Sequence, residues 1–229
     1  AVAVASETGC SLHIVHVGSA RAALLALEAK RGGADITMET CPHFLAFSHE
    51  DFVARGSILK TAPVVKTKED SERLWQMLAA GDIDFAASDH APCPEKEKET
   101  GSIWTDYNGI SGTETLFTYL FSEGYKKGKL TLSRLVEATS SAAARRYGLY
   151  PRKGAIAADT DADLVFVDPD RKWKVSGASF GSKGKQTPFE GQEFTGKVVK
   201  TMCRGTIVYE EGRGVVVQPG FGRFLRRGA

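Results

Sequence analysis

Residues 83–92 read IDFAASDHAP, a short apolar run that ends in an acidic residue, a histidine and a proline. An apolar run of this length with turn residues after it is typical of a buried β-strand. Two similar runs precede it, LHIVHV at 12–17 and DITMET at 35–40, and each ends at or just before a histidine. The pattern predicts three strands that carry reactive side chains near their carboxyl ends.

Helical patterns alternate with these strands, and this alternation predicts a parallel sheet or a βα barrel, hence an α/β fold. Three βα units are too few for an eight-stranded barrel, which typically needs about 250 residues. Most of any barrel would therefore have to lie outside this chain. The helices are predicted at 20–30, 68–80, 112–125 and 132–147, and residues 46–66 and 93–109 are predicted to be irregular.

The chain changes character after Pro151, where strand patterns follow one another without helices between them. A stretch rich in Gly, Ser and Lys at 176–193 is predicted to be a long surface loop. We therefore predict two units, 1–150 and 151–229, the second smaller and all-β. Its strands are predicted at 162–167, 198–202 and 206–210.

The composition narrows the class of protein. The 229 residues are 42% hydrophobic and 25% charged with a formal net charge of +2, which is ordinary for a globular protein and gives no reason to expect a nucleic-acid partner. No apolar run approaches the roughly 18 residues of a membrane span. Four scattered cysteines favour reduced thiols and a cytoplasmic location. The first residues read as the end of a helix closed by Gly9, so the chain is expected to begin within a fold.

The polar residues at the predicted strand ends are the candidates for chemistry. His16 ends the first strand, His43 follows the second, and Asp89 and His90 end the third. Active sites of βα folds are built at that edge. Each residue alone has an ordinary explanation, since His16 could be a hydrogen-bonded structural histidine and Asp89 a turn cap. Together, imidazole and carboxylate form a reasonable partial site for zinc or another divalent metal.

Cys41 and Cys93 offer a different chemistry. Each lies beside a proline and close to a histidine, which is compatible with a cysteine–histidine catalytic pair. Buried cysteines beside a strand usually serve packing, however, and the sequence favours that interpretation.

Several motifs, in their order along the chain, resemble the cyclic amidohydrolase branch of the amidohydrolase superfamily, which includes dihydroorotases, allantoinases and hydantoinases. The resemblance covers nearly the whole chain and corresponds to the C-terminal portion of such proteins. The motifs are HIVHV at 13–17, ETCPHFL at 39–45, SDHAP at 88–92, NGISGTE at 108–114, KGAI at 153–156 and ADLV at 162–165.

The resemblance implies a (β/α)8 barrel with a small β-sandwich. This chain would supply a partial TIM-type barrel, its last three strands and their helices, followed by the C-terminal strands of the sandwich. It also implies two divalent metals, zinc or alternatively manganese or another ion. His16 and Asp89 match two of the ligands, and the others, including a carboxylated lysine, are expected upstream. The missing N-terminal part of the same protein is thus an expected partner.

The implied reaction is hydrolysis of a cyclic amide C–N bond by a metal-bound hydroxide, with Asp89 as the catalytic proton shuttle. The substrate would be a small cyclic ureide or imide. By position in the motifs, the backbone at Thr61 and Asn108 would contact it, and His43 and His90 would lie at its edge or support the metal ligands. His90 could instead orient Asp89 by a hydrogen bond.

The resemblance leaves the substrate and the assembly open. The segment APVVK at 62–66 lacks the arginine that many members carry there, which weakens dihydroorotate, a carboxylate, as the substrate. Members of the branch are commonly dimers or tetramers, so a homo-oligomer is expected. The alternative function is that of a metal-free, catalytically inactive homologue that acts as a scaffold or assembly subunit.

Overall fold

The computed structural model describes residues 1–226, so residues 227–229 of the predicted second unit lie outside the described part. Three parallel strands form the first sheet in the order β1-β2-β3. The strands are β1 Leu12–Ile14, β2 Ile36–Thr40 and β3 Phe85–Ala86. The helices of the chain are α1 Val2–Thr8, α2 Ala20–Arg31, α3 Pro42–Ala46, α4 His49–Arg55, α5 Lys68–Ala80, α6 Glu95–Lys98, α7 Thr113–Tyr119, α8 Leu132–Val136 and α9 Ala142–Arg146.

The central strand β2 shows why this sheet forms. Ile36, Met38 and Thr40 are buried on the face that packs against the helices, as expected for side chains that alternate across a strand. Thr37 and Glu39 point to the opposite face, which in a closed barrel would be the interior. The strands predicted at 12–17, 35–40 and 83–88 are confirmed in place but not in full length.

Helices α2 and α5 cover the buried face, and both agree with the prediction. The N-terminus of α5 is capped by Thr67, whose Oγ1 accepts from the Asp70 N–H at 3.1 Å. The Asp70 carboxylate accepts from the Thr67 N–H at 3.4 Å and from the Ala20 N–H at 2.8 Å, so one carboxylate bonds to the N-terminal ends of both helices. Gly81, with φ of 83°, ends α5 in the left-handed conformation that glycine adopts without a steric cost.

The prediction of irregular structure for 46–66 was wrong in part. That stretch contains α4 and a 3-10 turn, Gly56–Leu59. Ser48 and Asp51 form a capping box, with the Ser48 N–H donating to Asp51 at 2.9 Å, and this local signal favours a helix over a loop. The helices predicted at 112–125 and 132–147 are present, but each contains a π-helical segment, Leu120–Lys126 and Glu137–Ser141 respectively.

Four antiparallel strands form the second sheet in the order β4-β5-β6-β7. Strand β5 packs on the helix that begins at α7: the rings of Phe194 and Tyr119 lie 5.9 Å apart, and the Thr195 N–H donates to Ser122 Oγ at 3.0 Å. The strands are β4 Leu164–Lys174, β5 Glu193–Cys203, β6 Thr206–Glu210 and β7 Gly214–Val215, of which the first two are longer than predicted and the last was not predicted.

The composition of 176–193 predicted a long surface loop. The structure corrects this prediction in part, because some side chains of the stretch are buried. Phe180 and Phe189 are buried, and Phe189 packs on Phe47 with ring centroids 4.9 Å apart. Ser111 Oγ donates to the Gly184 carbonyl at 3.0 Å, which ties the loop to the segment that follows β3. The two phenylalanines drive this burial although polar residues surround them in the sequence. No helix within residues 1–226 is long and apolar enough to cross a membrane.

Candidate active site

Three side chains with metal-binding atoms converge beyond the carboxyl ends of β2 and β3. One ligand atom from each of Cys41, His43 and Asp89 lies within 4.8 Å of the others. Cys41 and His43 follow β2, and Asp89 follows β3, so the parallel pairing of these strands brings them together. The sequence predicted His43 and Asp89 at this edge, whereas Cys41 was assigned to packing.

The two predicted metal ligands share an unusual backbone conformation. His16 has φ of 43° and Asp89 has φ of 46°, and only two other non-glycine residues among residues 1–226 have a positive φ. The left-handed region costs about 1–3 kcal/mol for such residues and occurs preferentially at functional sites. The prediction that His16 ends the first strand was wrong in detail, because β1 ends at Ile14 and His16 lies two residues beyond it.

His43 is almost fully buried. It is 2% exposed, and its Nε2 is buried without a hydrogen-bond partner among the described residues. Burial lowers the pKa of His43 to about 3, and the nearby His16 acts in the same direction. His43 is therefore a neutral imidazole at physiological pH, which is the form that binds a metal. His16 lies close enough to His43 to affect its titration.

Cys41 lies in the same cluster as a protonated thiol. Burial raises the pKa of Cys41 well above its usual range, and the carboxylates of Asp89 and Glu39 add to the effect. A bare cluster of this kind does not supply the thiolate that a cysteine nucleophile needs. The neutral imidazole of His43, whose buried Nε2 has no partner, and the carboxylate of Asp89 fit a borderline divalent cation. His16, the other predicted metal ligand, is not a member of this cluster.

A second polar layer lies beneath the cluster, on the same face of the sheet. His13 Nδ1 lies 2.8 Å from Thr37 Oγ1, and its Nε2 lies 3.1 Å from Glu39 Oε2. The His13 ring stacks on Phe85 at 5.0 Å between centroids. No role was predicted for His13, although the period-two alternation of Thr37 and Glu39 along β2 indicated where its partners would lie.

His90 contacts the backbone of the following turn. Its Nδ1 accepts from the N–H groups of Gly112 and Thr113 at 3.1 and 3.2 Å. His90 also forms an isolated parallel bridge with Ile110. The suggestion that His90 orients Asp89 was wrong, since no hydrogen bond joins them although both are described. Its contacts anchor the start of α7 beside the end of β3.

The two segments predicted to contact the substrate lie side by side. Thr61 is buried, and its Oγ1 donates to the Pro63 carbonyl at 2.8 Å, whereas Asn108 is exposed. The N–H of Gly109 donates to the carbonyl of Lys60 at 2.9 Å, which joins the residues next to Thr61 and Asn108. The sequence predicted both positions, but it did not predict the hydrogen bonds that pair them.

The comparison with family models matches residues 3–208 to the model described as "Amidohydrolase family". The chain belongs to the amidohydrolase family. It is 42% identical over 226 residues to an allantoinase from Rubrobacter xylanophilus, covering 99% of this chain and 49% of the relative. It is 38% identical over 229 residues to an L-hydantoinase from Paenarthrobacter aurescens, covering 99% of this chain and 50% of the relative.

Solved structures of amidohydrolases give the same result. The L-hydantoinase from Arthrobacter aurescens superposes with a TM-score of 0.95 at 38% identity, covering 99% of this chain and 50% of the other. A D-hydantoinase from Thermus sp. superposes with a TM-score of 0.94 at 30% identity and the same coverage. The chain therefore has the mixed α/β fold of the hydantoinases, and it spans about half the length of the relatives that it matches.

Proposed function

We propose that this chain forms part of a metal-dependent hydrolase that opens a cyclic ureide or imide at a ring C–N bond. The observation that carries the proposal is the cluster at the ends of β2 and β3, where His43 and Asp89 converge with Cys41, while His16 is near enough to lower the pKa of His43. The similarity to allantoinases and hydantoinases supports the same reaction class.

The proposal includes an architecture. Strands β1 to β3 would be the last three strands of a (β/α)8 barrel, and residues after about 150 would belong to a small β-sandwich. The parallel order of β1, β2 and β3, with helices on one face, supports the barrel. The antiparallel sheet β4–β7 supports a separate all-β unit. The rest of the barrel would provide the remaining metal ligands, including a carboxylated lysine.

A divalent metal bound here would lower the pKa of a water molecule and polarise the ring carbonyl. His16 and Asp89 are the proposed ligands, and two zinc ions are the proposed complement, with manganese as another option. The positive φ of both residues supports this assignment, since a strained backbone persists where the fold directs a side chain to a particular place.

Asp89 is the proposed catalytic residue. Its carboxylate would accept a proton as water attacks the ring carbonyl, and would deliver that proton to the departing ring nitrogen. An amide nitrogen is a poor leaving group unless it is protonated, so this delivery is the essential step. His43 would remain neutral throughout, because its burial disfavours the imidazolium.

The proposed substrate contacts come from the backbone near Thr61 and Asn108. Cyclic ureides present N–H and C=O groups side by side, and main-chain groups complement such a pattern. The hydrogen bond from the Gly109 N–H to the Lys60 carbonyl supports the proposal, because it holds the two segments side by side. His90 would act at the edge of these two segments through its hydrogen bond with the backbone at the start of α7.

The comparisons give no support to the alternative of a metal-free scaffold. A homo-oligomer and a cytoplasmic location stay predictions.

The test is ring opening of allantoin, hydantoin, dihydrouracil and dihydroorotate by the intact enzyme, which carries this chain together with the remaining barrel strands. We expect turnover of at least one of the four, lost on treatment with a chelator and restored by zinc or manganese. Absence of turnover by folded, metal-loaded protein on all four rings would contradict the proposal.

A further inference from the structure

The Lys98 side chain is buried in an unusual environment at the end of α6. It is 3% exposed, and its ammonium group donates to three backbone carbonyls: Lys60 at 3.0 Å, Tyr107 at 3.0 Å and Gly109 at 2.6 Å. No ion pair joins Lys98 to a carboxylate within residues 1–226. A buried lysine without a carboxylate is rare, because the charge loses its hydration.

The three carbonyls belong to the two segments that are proposed to contact the substrate. Tyr107 and Gly109 flank Asn108 on both sides, and Lys60 directly precedes Thr61. The Lys60 carbonyl accepts from both Lys98 Nζ and the Gly109 N–H, so one atom links the ammonium to the pairing of the two segments. The ammonium group therefore lies where the two segments are hydrogen-bonded to each other.

The ammonium group of Lys98 is chemically suited to holding the two segments together. Its three N–H donors match the three carbonyl acceptors in number, so a protonated Lys98 leaves no donor unsatisfied. Burial lowers the pKa of Lys98 to about 8, and the Lys60 ammonium acts in the same direction while Cys93 and Asp106 oppose it. The side chain therefore keeps its proton near neutral pH.

We propose that Lys98 is a positioning residue, which fixes the backbone at Asn108 and Thr61 in the orientation that binds the ring of the substrate. The effect of Lys98 on substrate binding rests on the proposed function. Its effect on the backbone near Asn108 and Thr61 rests only on the hydrogen bonds of its ammonium group. Nothing in the motifs marks this lysine, which lies in the polar loop predicted to be irregular.

The experiment compares Lys98→Met with wild type in the intact enzyme, with Lys96→Met as the matched control. Lys96 lies in the same helical turn but is exposed. We expect Lys98→Met to raise KM about tenfold or more while kcat changes little, because uniform binding of the ring is lost. Hydrogen exchange of the Gly109 amide should accelerate in the same variant, and Lys96→Met should alter neither quantity.

Lys98→Arg keeps the charge but presents a planar set of donors, so it should give a KM between those of wild type and Lys98→Met. If Lys98→Met fails to fold, the arginine variant carries the test, and an unchanged KM in it would overturn the proposal. Faster exchange at Gly109 with an unchanged KM would also overturn it, because the role would then be structural only. Faster exchange in an enzyme that opens none of the rings would refute the proposed function and leave the organising role of Lys98 intact.

Discussion

Two groups of buried polar side chains lie near the ends of the parallel strands, and they differ in whether their polar atoms have partners. In the strand-end cluster of Cys41, His43 and Asp89, the His43 Nε2 is buried without a hydrogen bond. In the loop network around Lys98, each N–H of the buried ammonium has a carbonyl acceptor. Leaving a buried polar atom unpaired costs about 1–3 kcal/mol. The difference agrees with our proposals that the first group binds a metal and that Lys98 fixes the backbone of the second.

The largest effect is expected at the strand-end cluster. Asp89→Asn removes the proposed proton acceptor and metal ligand, so we expect kcat to fall by about a thousandfold or more in the intact enzyme. Asp159→Asn is the matched control, because Asp159 is also an aspartate with positive φ, 63°, but is exposed outside the cluster. A comparable loss in both variants would show that backbone strain, rather than the site, explains the effect.

A smaller effect is expected from His43→Leu, which replaces the unpartnered imidazole with an apolar side chain of similar size. We expect metal affinity to fall about 10- to 100-fold, as for residues that support a metal site. The metal-free protein should be as stable as wild type or more stable, because a buried unpaired nitrogen is removed. Metal titration and thermal unfolding measure the two quantities. A marked loss of stability without metal would mean that the His43 nitrogen has a partner after all.

The loop network should respond to pH. Because burial lowers the pKa of Lys98 to about 8, raising the pH through 8 removes one of its three N–H donors. The titratable groups that affect it are Cys93, Lys60 and Asp106. We expect KM to rise severalfold, about three- to tenfold, between pH 7 and 9.5 in wild type. Lys98→Arg should show a flat KM over that range, since a guanidinium stays protonated; parallel profiles would argue against titration of Lys98.

The smallest effect is expected outside both groups. Thr67→Ala removes the cap of α5, where Thr67 Oγ1 accepts from the Asp70 N–H. Such a loss costs about 1 kcal/mol in the free energy of unfolding. Denaturant unfolding should show this change, while metal affinity and KM stay at wild-type values. A change in KM would mean that α5 and the loop network are coupled, which weakens the division into two groups.

The strand-end cluster was largely predictable, because local patterns specify it. Short apolar runs before His43 and Asp89 predicted both the strands and the edge at which these two side chains meet. His16 was predicted at the same edge but is not a member of the cluster. The presence of Cys41 in the cluster was not predictable, since a cysteine beside a strand is usually a packing residue. Its position near Asp89 depends on the pairing of β2 with β3, and a single sequence does not show that pairing.

The loop network was not predictable in the same way. Lys98 lies in a run of charged residues that reads as a solvated surface, EKEKE at 95–99. Its burial results from the packing of the 60s segment, the loop after α6 and the stretch 176–193, which are far apart in the chain. The capping box at Ser48, by contrast, was a local signal for α4 that the sequence contained.

We propose that the strand-end cluster holds a divalent metal that the ring-opening reaction requires. The most direct measurement removes metal from the intact enzyme with a chelator, adds zinc in steps, and follows bound metal and ring opening together. We expect activity to return in proportion to the metal bound, and we expect Asp89→Asn to regain neither full metal binding nor activity. Full activity in the metal-free enzyme, or wild-type metal binding by Asp89→Asn, would contradict the proposal.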